Sequence, residues 1–383
     1  MERAELRALV LATGAAETAG GMVFLAEPPR SAAAAARRRD LQAQADRRPP
    51  DVDGGWLAIA TGGTGGGLRY ARHDEITVSA AARGLGRHFG LERINAVDVL
   101  PPYHVSGLMA RIRAAETGGT HRAWEWKRLE SGEVPALPGR SDGWVLSLVP
   151  TQLQRLLGRP ATVAWLRELR VIFVGGGPLW PALADEAAAA GLPLAPGYGM
   201  TETAAMVAAL RPAEFLGGAR SCGGALPHAR LAIGADGTVR VEGESLFRGY
   251  WPEWRNERGL ETDDRGEIDA AGHLRILGRR DAVIITGGKK VEPAEVEAAL
   301  RGADPAMEVA VIGVPDAEWG EVVVACFPAE GAVGAEGLAR AAAALAPPQR
   351  PKHYVPVQPW PRNAQGKLNR ADLRAAVQAR LGR

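Results

Sequence analysis

Three segments of this 383-residue chain combine residue types that can hold a nucleoside polyphosphate. The first is Thr61-Gly-Gly-Thr-Gly-Gly-Gly-Leu-Arg, with five glycines among the seven positions from Thr61. Glycines such as Gly62, Gly63 and Gly65 let the backbone turn tightly and aim several N–H groups at one anion. The hydroxyls of Thr61 and Thr64 add donors, and Arg69 adds a cation. This is a phosphate cradle in composition, but no Gly-Lys-Ser/Thr follows, so it is not a Walker sequence. Taken alone it reads equally well as a flexible glycine loop. The second segment is Gly197-Tyr-Gly-Met-Thr-Glu-Thr. Tyr198, between Gly197 and Gly199, offers a flat face to a purine; Thr201 offers a hydroxyl, and Glu202 a hard oxygen ligand suited to Mg²⁺. The third runs from Gly278 to Glu297 and falls where a large region gives way to a small one.

The elements that must position these segments alternate in type. Trp56–Thr61, Ala96–Leu100, Trp144–Val149 and Arg170–Val174 read as strands, with helical stretches over His73–Phe89, Thr151–Leu169 (interrupted at Gly158-Arg-Pro) and Leu179–Ala190. The glycine loop is expected to lead from its strand directly into the His73–Phe89 helix. Such alternation predicts α/β layers with parallel strands. From about Arg230 the texture changes to short strands at Leu231–Ile233, Thr238–Val241 and Leu274–Leu277, a small antiparallel unit. From about Asp281 a region of about 100 residues has its own strands (Ala282–Thr286, Val309–Val314, Val322–Phe327) and helices (Pro293–Leu300 and one from Arg370), as a small α+β domain should.

Composition narrows the function classes. Lys+Arg is 46 against Asp+Glu 44, for a net charge of +2, which carries no footprint of a polyanion partner, so nucleic acid is not expected. Cys222 and Cys326 are the only cysteines, which excludes a disulfide framework and a cysteine-based zinc site and makes reducing cytoplasm the expected location. No apolar run is long enough to span a bilayer. The start, with acids among its bases, makes a poor secretory leader. Ser31–Leu41 reads as a helix with Ser31 at its N-cap and a solvated arginine face. The sequence carries no signal for an oligomeric state.

Taken in order, the segments resemble the adenylate-forming enzymes, the family of acyl- and aryl-CoA ligases, luciferases and peptide-synthetase adenylation domains. Thr61–Arg69 resembles the family's pyrophosphate loop, and Pro101-Pro-Tyr-His-Val-Ser-Gly-Leu its acyl-pocket histidine segment. Val174-Gly-Gly-Gly-Pro-Leu, with Gly175, Gly176, Gly177 and Pro178, resembles the adenine-side loop. Gly197–Thr203 resembles its Tyr-Gly-x-Thr-Glu motif, and Glu261-Thr-Asp-Asp-Arg-Gly its ribose-binding aspartate segment. Gly278–Glu297 resembles the hinge, and Pro361-Arg-Asn-Ala-Gln-Gly-Lys-Leu-Asn-Arg the motif of the catalytic lysine.

The resemblance implies a two-step reaction: a carboxylate attacks the α-phosphorus of ATP, then a thiol, usually that of coenzyme A, displaces AMP. It implies a large domain over 1–278, a hinge over 279–282 at Asp281 and a small mobile domain over 283–383. Lys367 would be the catalytic cation, Glu202 the Mg²⁺ ligand, and Thr201 a phosphate contact. Asp264 and Arg279 would bind ribose, and Gly287 and Gly288 would approach the pantetheine arm. His104 reads either as a lid on the carboxylate pocket, as the resemblance has it, or as an ordinary loop histidine. His73, His88, His121, His228, His273 and His353 show no ligand spacing and read as structural. The chain departs from the usual pattern at Gly62 (Ser in most relatives), Leu68 (Pro), Arg69 (Lys) and Asp263 (Gly). Within the family the short chain, the glycine loop and the Pro101–Met109 segment most resemble o-succinylbenzoate–CoA ligases of the compact cyanobacterial type, which act in menaquinone or phylloquinone synthesis. Arg220 and Ser221 are candidate partners for that acid's second carboxylate. Another acyl or aryl ligase, a carrier-loading enzyme and a non-catalytic nucleotide-binding relative stay open as alternatives.

Overall fold

The structure is a computed structural model that describes residues 1–19, 21–25, 55–62, 68–139, 143–253, 259–304, 307–330, 333–362 and 368–382. The helix expected over Ser31–Leu41 lies outside the described residues.

The centre of the large domain is a seven-stranded sheet. Its order is Gly224–Ala225, Ala205–Ala209, Leu194–Met200, Val171–Val174, Trp144–Leu148, Asn95–Asp98, His121–Ala123. From Leu194–Met200 to His121–Ala123 the strands are parallel, as expected; Ala205–Ala209 runs antiparallel to Leu194–Met200, and Gly224–Ala225 antiparallel to Ala205–Ala209. Val171–Val174 is buried at every position, the pattern of a strand covered on both faces. One face is closed by Leu153, Leu156, Trp165 and Leu183 from the flanking helices. The other meets Leu85 and Phe89 of helix Glu75–Phe89 and Ala110 of helix Val105–Glu116.

Those two helices are sandwiched. Their opposite faces (Val78, Ala81, Leu108, Ile112) pack on a four-stranded sheet made by Ala16–Ala19, Met22–Leu25, Leu57–Gly62 and Leu68–His73. Helix Glu75–Phe89 begins at Asp74, whose carboxylate accepts from Thr77 N at 2.9 Å, and ends at Gly90 in the left-handed region. Gly84 sits within this helix because a Cβ there would lie 1.9 Å from Nδ1 of His228; the imidazole fills the notch.

The strand Leu68–His73 corrects the expectation that the glycine loop feeds a helix. Leu57–Gly62 and Leu68–His73 form an antiparallel hairpin around the loop. The sequence Leu-Arg-Tyr-Ala-Arg-His does not read as a strand because Arg72 and His73 are buried, and only distant groups make that possible. Arg72 Nε donates to Gly55 O at 3.1 Å and Nη1 to Glu253 O at 3.3 Å.

The small antiparallel unit contains Ala229–Ile233, Thr238–Gly243, Gly259–Ile268 and Leu274–Arg279. The long, mostly polar Gly259–Ile268 strand carries the aspartate motif and is not apparent from its composition. The small domain has a sheet of Ile284–Thr286, Lys289–Val291, Ala310–Asp316, Gly320–Pro328 and His353–Val357, with helices Pro293–Leu300, Ala335–Ala342 and Arg370–Leu381 against it.

Candidate active site

A cleft of about 1930 Å³ opens where Val171–Val174 and Leu194–Met200 end, bounded by the glycine hairpin, the aspartate strand and the small domain. Thr61, Arg69, His104, Gly175, Gly176, Gly177, Pro178, Gly197, Tyr198, Gly199, Thr201, Glu202, Asp264, Arg279 and Asp281 all line it. Open α/β sheets place their ligand sites at this end of the strands. Gly63, Thr64, Gly65 and Lys367 lie outside the described residues, and of Gly62 only its place in the strand is described.

Glu202 is presented by a single turn, Thr201–Thr203, between two antiparallel strands. The turn is forced: Ala204 and Ala205 follow at φ 50° and 79°, a region that costs a non-glycine residue about 1–2 kcal/mol. Gly199 is required beside them, because a Cβ there would stand 1.9 Å from Ala205 O. His73 secures the turn from below, with Nε2 at 2.8 Å from Thr201 O and Nδ1 at 3.0 Å from Thr77 Oγ1. Burial holds the His73 imidazole down to about 4, so it is neutral. Glu202 is only 7% exposed, and its Oε1 accepts from Tyr250 Oη at 2.6 Å. Among the described residues no hydrogen bond reaches Oε2. A buried carboxylate with one oxygen tethered and the other open to a cleft fits Mg²⁺, which takes one or two carboxylates and leaves its remaining positions to phosphates and water. The Arg69 guanidinium lies 4.2 Å above the Tyr250 ring.

At the nucleoside end, Tyr198 Oη donates to Asp264 Oδ2 at 2.7 Å, and Arg279 Nη1 stands 3.5 Å from Asp264 Oδ1. Burial raises the Asp264 carboxyl, against the Tyr198 hydrogen bond and the Arg279 charge, which pull it down. Burial also raises the Tyr198 phenol, which stays a donor. Tyr198 is 9% exposed, its ring set among Val207, Ala208, Val239 and Leu246. Less of its face is open to a purine than the sequence implied, and its hydroxyl is bonded to Asp264. Arg279 is also chelated by Asp281, Nε to Oδ1 at 2.8 Å and Nη2 to Oδ2 at 2.9 Å.

His104, also in the cleft, precedes helix Val105–Glu116, and its ring lies 4.6 Å from that of Tyr103. Gly107 lets this helix approach the Pro101 loop, where a Cβ would meet Pro101 O at 2.3 Å. Arg113, two turns along the helix, escaped the sequence reading. It lines the cleft yet is only 4% exposed, and its guanidinium sits 5.6 Å over the Phe173 ring. Its Nε has no hydrogen-bond partner, and no carboxylate pairs with it among the described residues. Burial lowers it to about 10, so it remains a cation at neutral pH. Arg220, the residue considered for such a role, lines the cleft but is committed to Asp185 at 2.9 Å and to the carbonyls of Phe215 and Ala219. Ser221 accepts from Gly223 N.

The small domain closes the cleft with Pro293, Glu297, Arg362 and Arg370. On either side of the segment that includes Lys367, Arg362 and Leu368 form a bridge and Asn369 N donates to Pro361 O at 3.0 Å. Gly287 and Gly288, at φ 54° and 73°, form the tip of the Ile284–Thr286/Lys289–Val291 hairpin. Two-residue turns of that hand need glycine, which accounts for the pair, and they do not line the cleft in this arrangement.

Residues 9–251 match the family model of AMP-binding enzymes, and residues 295–367 that of the AMP-binding enzyme C-terminal domain. The chain is 27% identical over 349 residues to the 2-succinylbenzoate–CoA ligase of Enterococcus faecalis, covering 87% of this chain and 72% of that protein. It is 32% identical to the indoleacetate–CoA ligase of Aromatoleum aromaticum, covering 84% and 67%. The solved o-succinylbenzoate CoA synthetase of Bacillus subtilis, in complex with its acyl-adenylate intermediate, superposes with a TM-score of 0.72 at 27% identity, over 85% of this chain and 70% of that one. The ordered motifs, the two-domain α/β architecture and the cleft that gathers them place this chain in the AMP-binding enzyme family.

Proposed function

We propose that the chain activates a carboxylic acid with ATP and passes the acyl group to coenzyme A, and that the acid carries a second carboxylate. O-succinylbenzoate is such an acid, and it is the one named for the Enterococcus faecalis relative and the Bacillus subtilis structure. A carboxylate oxygen bonds to the α-phosphorus of ATP as the bond from that phosphorus to the bridging oxygen breaks, and pyrophosphate leaves. The thiol sulfur of coenzyme A then bonds to the acyl carbon, the acyl–oxygen bond breaks, AMP departs with the electron pair, and the thiol proton passes to solvent.

Chemistry of this kind needs placement and charge neutralisation more than covalent help from the protein. Thr61 and Arg69 face the outer phosphates, and Asp264 with Arg279 holds the ribose. Glu202 would hold Mg²⁺, which when bound neutralises phosphate charge. Lys367 meets the attacking carboxylate and the α-phosphate, a contact that strengthens as charge shifts in the transition state. The small domain turns about 279–282 between the two steps, bringing the Gly287–Gly288 tip toward the pantetheine arm.

The observation that carries the dicarboxylate is Arg113. A buried cation with no counter-ion is costly to keep unless a ligand supplies the charge. It lines the same cleft as His104, on the helix that His104 precedes. The test is a thioester assay with ATP, Mg²⁺ and coenzyme A, offering o-succinylbenzoate, benzoate, indoleacetate and a medium-chain fatty acid side by side. O-succinylbenzoate should give the highest kcat/KM. Preference for a monocarboxylate would overturn the choice of acid and leave the ligase chemistry standing.

A further inference from the structure

We infer that Tyr250 is a positioning residue that links the cation of the glycine hairpin, Arg69, to the metal-binding acid, Glu202. Three observations converge on it. Its hydroxyl donates to Glu202 Oε1 at 2.6 Å, which fixes the carboxylate rotamer and leaves the other oxygen for the cleft. Its ring carries the Arg69 guanidinium at 4.2 Å. Its backbone is tied to the hairpin: Arg72 N donates to Gly249 O at 2.9 Å and Trp251 N to Tyr70 O at 2.8 Å, with Ala71 and Tyr250 bridged as an added strand.

The turn holding Glu202 and the strand holding Arg69 come from distant parts of the chain, and Tyr250 touches both. Phe247 packs edge-on at 4.9 Å and keeps the ring in place, while Phe247 N donates to Glu202 O at 2.8 Å. The arrangement suits arginine rather than lysine. A planar, weakly hydrated guanidinium stacks on an aromatic face, and an ammonium does so less well. Among the described residues Arg69 has no ion pair, so the ring is its resting place and the outer phosphates of a nucleotide are its destination. In this chain the phosphate cation and the metal acid are therefore held against one side chain.

This inference rests on the nucleotide reading above, and the experiment separates the two. ATP and AMP binding are measured by isothermal titration calorimetry at a series of Mg²⁺ concentrations, for the unmodified protein, Tyr250→Phe, Tyr250→Leu and each combined with Arg69→Ala. Thermal melts accompany each variant. Tyr250→Phe keeps the ring and loses the bond to Glu202. It should raise the Mg²⁺ concentration needed for ATP binding about tenfold, the effect of losing one hydrogen bond to a charged group, with AMP affinity unchanged. Tyr250→Leu should add a loss of ATP affinity at saturating Mg²⁺, and Arg69→Ala should then cost less than it does beside an intact ring. Unchanged Mg²⁺ dependence in Tyr250→Phe would overturn the inference. So would equal losses of ATP and AMP with a lowered melting temperature, the mark of a packing role alone. If the unmodified protein shows no Mg²⁺-dependent ATP binding, the nucleotide reading itself falls and takes this inference with it.

Discussion

Arg370 Nη2 lies 2.6 Å from Glu297 Oε1, joining the residue that opens the last helix to a carboxylate 4% exposed on another helix of the small domain. The same oxygen accepts from Val311 N at 2.9 Å, and Arg370 Nη1 donates to Val311 O at 3.0 Å. Arg370 follows Lys367 by three residues in sequence, and Glu297 holds the start of the helix that opens at Arg370. Glu297→Ala strips a partner from a mostly buried ion pair and is expected to cost about 3 kcal/mol, read from urea unfolding. Pyrophosphate exchange should lose kcat with KM for ATP nearly unchanged. A fall in KM-linked binding alone would contradict the anchoring role.

Arg113→Met makes two measurements move in opposite directions. Removing an unpaired buried cation should raise the melting temperature, because the desolvation cost disappears. The KM for a dicarboxylic acid should rise about 10- to 100-fold, the scale of a lost charged hydrogen bond, while that for benzoate stays level or falls. A destabilised variant with all acids equally affected would mean that Arg113 serves only the core.

Gly199→Ala sets a methyl against Ala205 O in a turn that is already strained. It should cost roughly 3 kcal/mol or more and abolish Mg²⁺-dependent ATP binding. Gly158→Ala is the matched control: its nearest neighbour would be Arg155 O at 3.8 Å, and its change in stability should stay within about 1 kcal/mol. Similar unfolding midpoints for the two variants would dismiss the close-approach account.

Two buried histidines give the stability a pH slope. Burial is the main cause that holds both His73 and His228 down to about 4, well below 6.5. In the folded protein both stay neutral until about pH 4, whereas in the unfolded chain they take up protons from about pH 6.5 downward. Between those values the unfolded state binds more protons, so stability rises with pH and is lost as pH falls, with no further loss from these groups below about 4. Each contributes on the order of 3 kcal/mol across the window. Denaturant midpoints at pH 7.0, 5.5 and 4.5 should show the decline, and His73→Gln should flatten about half of it. A flat profile in the unmodified protein would rule the account out.

Much of the scaffold is legible where burial is written in a local pattern. The strand Val171–Val174 is a continuous apolar run, Trp144–Leu148 is one but for Ser147, and helix Pro293–Leu300 opens on a proline in its first turn and places its apolar residues at helical spacing. The hairpin strand Leu68–His73 is not legible, because Arg72 and His73 are buried against carbonyls contributed from as far away as Glu253 and Thr201. The same division holds in the cleft. Glu202, Asp264 and Tyr198 stand out because the chemistry lies in their own side chains and neighbours. Arg113 reads as one of several arginines along a helix, and only the fold reveals that Phe173 and the sheet enclose it. Tyr250 and Glu297 are ordinary residues in sequence, and their importance lies in what they touch.

Gly84 and His228 claim one volume, since a methyl on the first would overlap the ring of the second at 1.9 Å. Their descendants are therefore not free to vary separately. Alanine would be the better helix former at position 84 by about 1 kcal/mol, yet it becomes admissible only after the imidazole has shrunk. Evolution can take that route in a single order, histidine first and glycine second, so among close orthologues the two sites should covary, and an alanine at 84 beside a histidine at 228 should be missing.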